Sequence, residues 1–181
     1  MTYKYTLYKT DYLVHQLYHV STNPASKKRK LRNWILCTLV FLFFALFFYK
    51  QADTVLMWYF FGAALITSTL YPYYHKWRYK SHYQRHIKEN YSDFFNKIVS
   101  ITFTDDAFIT KDKVAESRVA FTELKQINEL KNHILLQVSK GLMLIVPKTD
   151  SDEFVNFKLR LTEISKIYDI KWKDETTWQW N

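Results

Sequence analysis

Two long apolar runs break an otherwise mixed chain. Trp34 to Tyr49 and Val55 to Tyr74 carry no charged side chain, and only Lys50-Gln51-Ala52-Asp53-Thr54 separates them. The second run has 20 residues, about 30 Å as a helix, which matches a bilayer's hydrocarbon core. The first has 16, and reaches spanning length if it extends into Gln51 and Ala52. Eleven of those 16 are Leu, Ile, Val or Phe, contributing about −5 kcal/mol on the insertion scale with no charge to offset them. Before the terminal tyrosines the only polar side chains are Cys37, Thr38, Thr67, Ser68 and Thr69, whereas a soluble core helix keeps a polar stripe. A cleaved leader fits poorly: the first run begins after 33 residues, has no small-residue cleavage site and leads into the second run. So short a linker cannot cross a membrane. The pattern therefore predicts an antiparallel transmembrane hairpin at about 34–52 and 55–74.

Outside the hairpin the period changes. Tyr3, Tyr5 and Leu7 alternate with Lys4 and Thr6, predicting a half-buried strand. Asp11 is placed to cap a short helix whose Leu13, Leu17 and Val20 share a face, and Asn23-Pro24 stops it. Lys76 to Phe95 reads as a helical continuation, with Pro72 allowing a bend. From Ile98 the period is two, with Val99, Ile101 and Phe103 on one face and Asp105-Asp106 as a turn. Strands are expected from Phe108, at 118–121, 124–130, 134–138 and 142–146, with turns at Lys131-Asn132-His133 and Ser139-Lys140-Gly141. Asp150 with Glu153 resembles a capping box, and Phe154, Phe157, Leu161, Ile164 and Tyr168 form a helical stripe. The expected fold class is α+β: a transmembrane hairpin set into a small antiparallel β domain closed by a C-terminal helix. Residues 1–26 supply a strand and short helix of that domain, 27–92 the basic flank, hairpin and juxtamembrane helix, and 93–181 the remainder. The outline is that of a pleckstrin-homology-like barrel, although other α+β sheets read similarly. The tail with Trp172, Trp178 and Trp180 fits either an extra strand or a membrane-surface segment.

Charge sets the expected orientation. Lys27, Lys28, Arg29, Lys30 and Arg32 precede the first run, and Lys76, Arg78 and Lys80, then Arg85 and Lys88, follow the second. The linker has only Lys50 beside Asp53. Both flanks are expected to stay cytoplasmic, with both termini inside and the linker outside. Trp34, Tyr71, Tyr73, Tyr74 and Trp77 then mark the inner interface, and Tyr49, Trp58 and Tyr59 the outer one. The net charge is +9, but ten of the 26 Lys and Arg lie in the two flanks, where an anionic leaflet accounts for them. The other 16 nearly balance 17 acids, so nucleic acid is not an expected partner. Cys37 stands alone, which excludes an intramolecular disulfide and a cysteine zinc site. Gly62, Ala63, Ala64, Thr67 and Ser68 favour close packing against the first span, or alternatively against a second copy of the chain.

Several of these segments resemble one bacterial family. The N-terminal strand leading to Asp11-Tyr12-Leu13 and Leu17-Tyr18-His19, then Asn23-Pro24, a basic run and a hairpin ending near Tyr71-Pro72, is similar to the YcxB-like membrane proteins. Ile101-Thr102-Phe103-Thr104-Asp105-Asp106 and Ile145-Val146-Pro147-Lys148 fit as well. The resemblance implies a PH-like cytoplasmic domain over 93–181, joined by the N-terminal strand across two spans. It transfers no activity and no site residues.

No catalytic constellation emerges. His82 with His86, and His15 with His19, have the i, i+4 spacing of a shared metal site. The first pair encloses Tyr83-Gln84-Arg85, without a glutamate, and no third ligand is evident. Asp105-Asp106 reads as a solvated turn. Ser117-Arg118 and Ser139-Lys140-Gly141 lack a nucleophile-elbow or phosphate-loop setting. No ionisable residue suited to a proton relay lies in the spans. No metal or cofactor is expected. The expected function is a non-enzymatic inner-membrane protein whose cytosolic domain binds a protein, peptide or lipid headgroup at the membrane surface. The alternatives are an immunity or stress-protection protein acting against a membrane-active toxin, and an enzyme with an unrecognised site.

Overall fold

In the computed structural model, residues 1–113, 115–139 and 142–180 are described, and the N-terminal alternation forms strand β1 (Thr2–Leu7) with Tyr3, Tyr5 and Leu7 buried. The Lys140-Gly141 part of the last expected turn lies outside the described residues. Helices α1 (Lys9–Thr22), α2 (Pro24–Lys50) and α3 (Thr54–Asn90) come next. Strands β2 (Lys97–Phe103), β3 (Ala107–Lys111), β4 (Glu116–Ala120), β5 (Leu124–Leu130), β6 (His133–Val138) and β7 (Met143–Pro147) follow, then helix α4 (Asp152–Ile167) and strand β8 (Lys171–Glu175). The class is α+β. The described residues fall into two units, one of 1–15 and 86–179, the other of 16–85 with Trp180.

The first unit holds two four-stranded sheets. One runs β1-β2-β3-β4, antiparallel throughout, and the other β7-β6-β5-β8. Strand β1 pairs with β2 in the register Tyr3↔Ile101 and Tyr5↔Val99, which puts its three apolar residues on the face where Ile101 and Phe103 are buried. Strand β6 buries five of its six residues, with Ile134, Leu135 and Leu136 as a continuous apolar run rather than an alternating one. The α4 stripe buries Phe154, Phe157, Leu161 and Ile164. At about 1.5–3 kcal/mol per large apolar side chain, this stripe alone contributes on the order of 6–12 kcal/mol. Phe157 meets the rings of Tyr3 and Phe103 at 5.1 and 5.3 Å.

Two local expectations change and one open alternative is decided. Asp11 does not cap α1 as its first residue but sits inside it, its Oδ2 accepting the Tyr8 N–H at 2.7 Å, as the reciprocal arm of a capping box does. The cap of α4 is Ser151, whose hydroxyl accepts the Phe154 N–H at 3.2 Å, so the start lies one residue beyond Asp150. The tail forms β8, parallel to β5 with Trp172 opposite Ile127.

In the second unit, Asn23 accepts the Ala25 N–H at 2.9 Å and Pro24 opens α2, as its missing N–H and fixed φ favour. Helix α2 ends in a Schellman pair: Ala52 N–H to Tyr49 C=O and Asp53 N–H to Phe48 C=O, each 3.1 Å. Ala52 takes φ 59° at the left-handed position. Asp53 Oδ1 then accepts the Leu56 N–H and opens α3. Helices α2 and α3 are long and apolar enough to cross a membrane, and only 6% of the most apolar window of each is buried.

Candidate functional site

The β unit carries an open cleft of about 200 Å³ between its first sheet and β7. Tyr5, Leu7 and Val99 form one wall, and Met143, Leu144 and Ile145 the opposite one. Thr110, Ser117 and Asp112 supply its polar rim, and Tyr12 of α1 lines it too. Burial pushes the Tyr5 phenol far above its ordinary pKa, and Tyr12 is raised by burial and then by the negative charge of Asp112. Both rings are therefore neutral hydrogen-bonding groups at physiological pH. An apolar chamber with a hydroxyl rim accommodates an apolar side chain whose backbone is hydrogen-bonded at the mouth. The strand β4 beside it is an edge strand, with unpaired backbone groups along its outer side.

Two polar clusters brace this unit. Glu129 of β5 accepts from Lys148 Nζ at 2.8 Å, Lys158 Nζ at 2.6 Å and Trp172 Nε1 at 3.1 Å. Burial alone would raise its pKa, but the hydrogen bonds and charges of the two lysines outweigh that and hold it below the usual carboxylate range. The second cluster is buried: Asp11 Oδ1 lies 3.0 Å from His133 Nε2, tying α1 to β6. The sequence gives no direct sign of either, because the partners lie 19 to 122 positions apart. An acid set among the apolar positions of β5 was the available hint.

In the helical unit, Lys27, Lys28, Arg29 and Arg32 are exposed at the start of α2, and Lys30 is half-buried. Lys76, Arg78 and Lys80 are exposed on α3. Among the described residues none of these eight forms an ion pair. Trp34 donates its indole N–H to Ser68 C=O at 3.1 Å, joining α2 to α3. Tyr73, Tyr74 and Trp77 are exposed and Tyr71 half-buried. Ala64 is buried, as is Ala45 of α2, while Gly62, Ala63, Thr67 and Ser68 are half-buried. A methyl group at Gly62 would meet nothing within 4 Å. Between α2 and α3, Phe44 and Phe48 stack on Phe60 at 5.3 and 5.4 Å. No group of three or more His, Cys, Asp or Glu among the described residues is placed to hold a metal ion.

The strands β3 to β7, the β7 wall of the cleft and the Glu129, Lys148 and Lys158 cluster form one contiguous stretch of sequence. Residues 103–158 match the family model described as YcxB-like protein. That YcxB-like stretch begins at the last residue of β2 and ends inside α4. Tyr5, Leu7, Tyr12 and Val99 of the cleft, Trp172 of the brace and both apolar helices lie outside it. No curated protein and no solved structure matches the chain.

Proposed function

We propose that this is a non-enzymatic, membrane-anchored binding protein. Its helices α2 and α3 cross the inner membrane as a hairpin with both termini cytoplasmic, and its β unit binds a protein or peptide segment at the cytoplasmic surface. The observation that carries this reading is the pairing of β1 with β2. The two strands precede and follow the hairpin, yet they are hydrogen-bonded neighbours, so they lie on one side of any membrane. The chain between them must cross an even number of times, and α2 and α3 supply two crossings. Their exposed apolar surface supports lipid as their solvent, since a soluble core helix would be mostly buried. The cations at the ends nearest β1 and β2 support a cytoplasmic location for those ends.

A PH-like reading of the β unit is supported by strands β1 to β4 in one sheet, β5 to β7 in the other and α4 after them, with β8 as an addition to the second sheet. The cleft between β1 and β7 and the free edge of β4 are the proposed contact, suited to an extended segment with one apolar side chain. In native membranes a photocrosslinker at Ser117 should give a discrete adduct that Leu144→Trp, filling the cleft, abolishes. A cysteine at Gln51 should react with an impermeant reagent from outside, whereas reporter fusions at Asn23 and after the tail should read cytoplasmic. An adduct unchanged by Leu144→Trp refutes the cleft, and an external C-terminus refutes the hairpin.

A further inference from the structure

Where α1 ends, α2 begins and α3 leaves its apolar run, the helical unit carries a half-open cavity of about 160 Å³, room for well more than one water. Lys27 and Lys30 form one wall, His75 and Tyr79 of α3 another, and Ser26 and Trp180 close it. We propose that this cavity binds the phosphate of an anionic lipid headgroup, a specific site within the basic flank. The proposal rests on the hairpin reading above for the source of the phosphate.

Four features point to an anion. The first is charge: residues 16–85 contain ten Lys and Arg and a single acid, Asp53, which lies at the opposite end of both helices. The second is the helix dipole. The first turns of α2 carry a run of cations and no acid, opposite to what a helix N-terminus favours. That arrangement costs stability until an anion is bound there. The third is His75, which lines the cavity and is half-buried, and whose Nδ1 has no hydrogen-bond partner among the described residues, a cost that a small turn of the ring toward an acceptor oxygen would relieve. Its ring is stacked on Tyr79 at 4.1 Å, so its orientation is fixed. Burial, then Lys30 and Arg78, hold the imidazole below its ordinary pKa, which marks the positive potential at this wall. The fourth is position. His75 directly follows the interfacial Tyr73 and Tyr74, and Trp180 donates to Lys76 C=O at 3.4 Å, so the cavity lies where headgroups lie when α3 spans. The cations exclude a quaternary ammonium ligand even though two aromatic rings are present.

The test uses the full chain purified in a neutral detergent, where diffuse surface charge holds no single lipid. Phosphatidylglycerol retention is measured by native mass spectrometry. One lipid per chain is expected, and Lys27→Gln with Lys30→Gln should weaken it about thirtyfold, at roughly tenfold per 1.4 kcal/mol for two cations. Lys28→Gln with Arg29→Gln removes the same charge outside the cavity and should change retention less than twofold. His75→Phe keeps the stack on Tyr79 but removes the nitrogen, and should weaken retention about fivefold. Equal losses for the two double variants would overturn the site while leaving the hairpin intact. Displacement of the lipid by millimolar inorganic phosphate alone would overturn the lipid source and assign the cavity to a soluble phosphate. An external C-terminus would overturn the hairpin and with it the membrane as the source of the phosphate, even if the two double variants still differed.

Discussion

Replacing Glu129 by leucine should be among the most damaging single changes to the β unit. The carboxylate accepts from three donors: Lys148, Lys158 and the Trp172 indole. The side chains of Glu129 and Lys148 are 12% and 19% exposed, whereas Lys158 is 42% exposed. Breaking a fully buried pair costs about 3–5 kcal/mol, and an exposed one about 0–1 kcal/mol. Lys158 can turn to water, so the loss comes mainly from Lys148 left without its counter-charge. The orphaned indole N–H adds about 1 kcal/mol. The expected total is about 3 kcal/mol, which for a unit of this size lowers Tm by roughly 12–24 °C. Heat unfolding of the full chain in neutral detergent, followed by the β-sheet circular dichroism signal, measures it. Lys148→Met should cost less than Glu129→Leu, and Lys158→Met least. Combining Glu129→Leu with Lys148→Met should recover most of the loss, because two apolar groups replace a pair without leaving a bare charge.

The same residue sets a pH dependence. Its folded pKa is depressed, so its stabilisation is complete above the unfolded value of about 4.3 and is lost as pH falls through the folded value. Wild-type Tm should therefore fall more steeply below pH 4.3 than that of Glu129→Leu. A loss under 1 kcal/mol, or parallel acid slopes, would falsify the account of the brace.

Three further outcomes are expected. Asp11→Ala should destabilise the chain by about 2 kcal/mol, by stranding both the Tyr8 N–H and the buried His133 Nε2; chemical unfolding checks it. Ser151→Ala should cost about 1 kcal/mol through the lost cap of α4, while Asp150→Ala should stay within ±0.5 kcal/mol, a comparison that separates the two candidate caps by Tm. A soluble fragment from Asp93 should aggregate through the bare edge of β2, and linking residues 1–23 to it should restore a cooperative transition, read by calorimetry.

Much of the fold was legible where one local rule decides. Two uncharged runs with a capped linker gave α2 and α3, and period-two patterns gave β1, β2 and β5 nearly to the residue. Boundaries slipped where side chains compete for one role. Ser151 and Asp150 are both good caps, and only the backbone path into α4 selects Ser151. Strand β8 stayed one of two open readings because Lys171 to Glu175 is almost wholly polar, and its place beside β5 is set by main-chain pairing and by Trp172 reaching Glu129. The candidate sites were the least legible part. The basic flanks were plain as charge, but that Lys27 and Lys30 share a cavity with His75 while Lys28 and Arg29 do not depends on helical phase and on the return of the tail. The Asp11–His133 pair depends on contacts 122 positions apart, for which no local pattern exists.

The pairing of β1 with β2 also orders events during synthesis. Tyr3 and Ile101 are register partners, but the ribosome makes them separated by the whole hairpin. While α2 and α3 emerge, β1 exposes Tyr3, Tyr5 and Leu7 with nothing to cover them. Burying those three side chains is worth roughly 5–9 kcal/mol, comparable to the entire stability of a small unit. If α2 and α3 cross the membrane as proposed, the β unit cannot close until both crossings are complete and the chain has returned to the side where β1 waits. A chain whose second span failed to insert would leave β2 on the wrong face, and the sheet would lack its edge strand. On the proposed topology, folding of the β unit, and with it assembly of the cleft, is possible only after both crossings are made. The binding proposed for that cleft would thereby be confined to correctly inserted molecules, through connectivity alone.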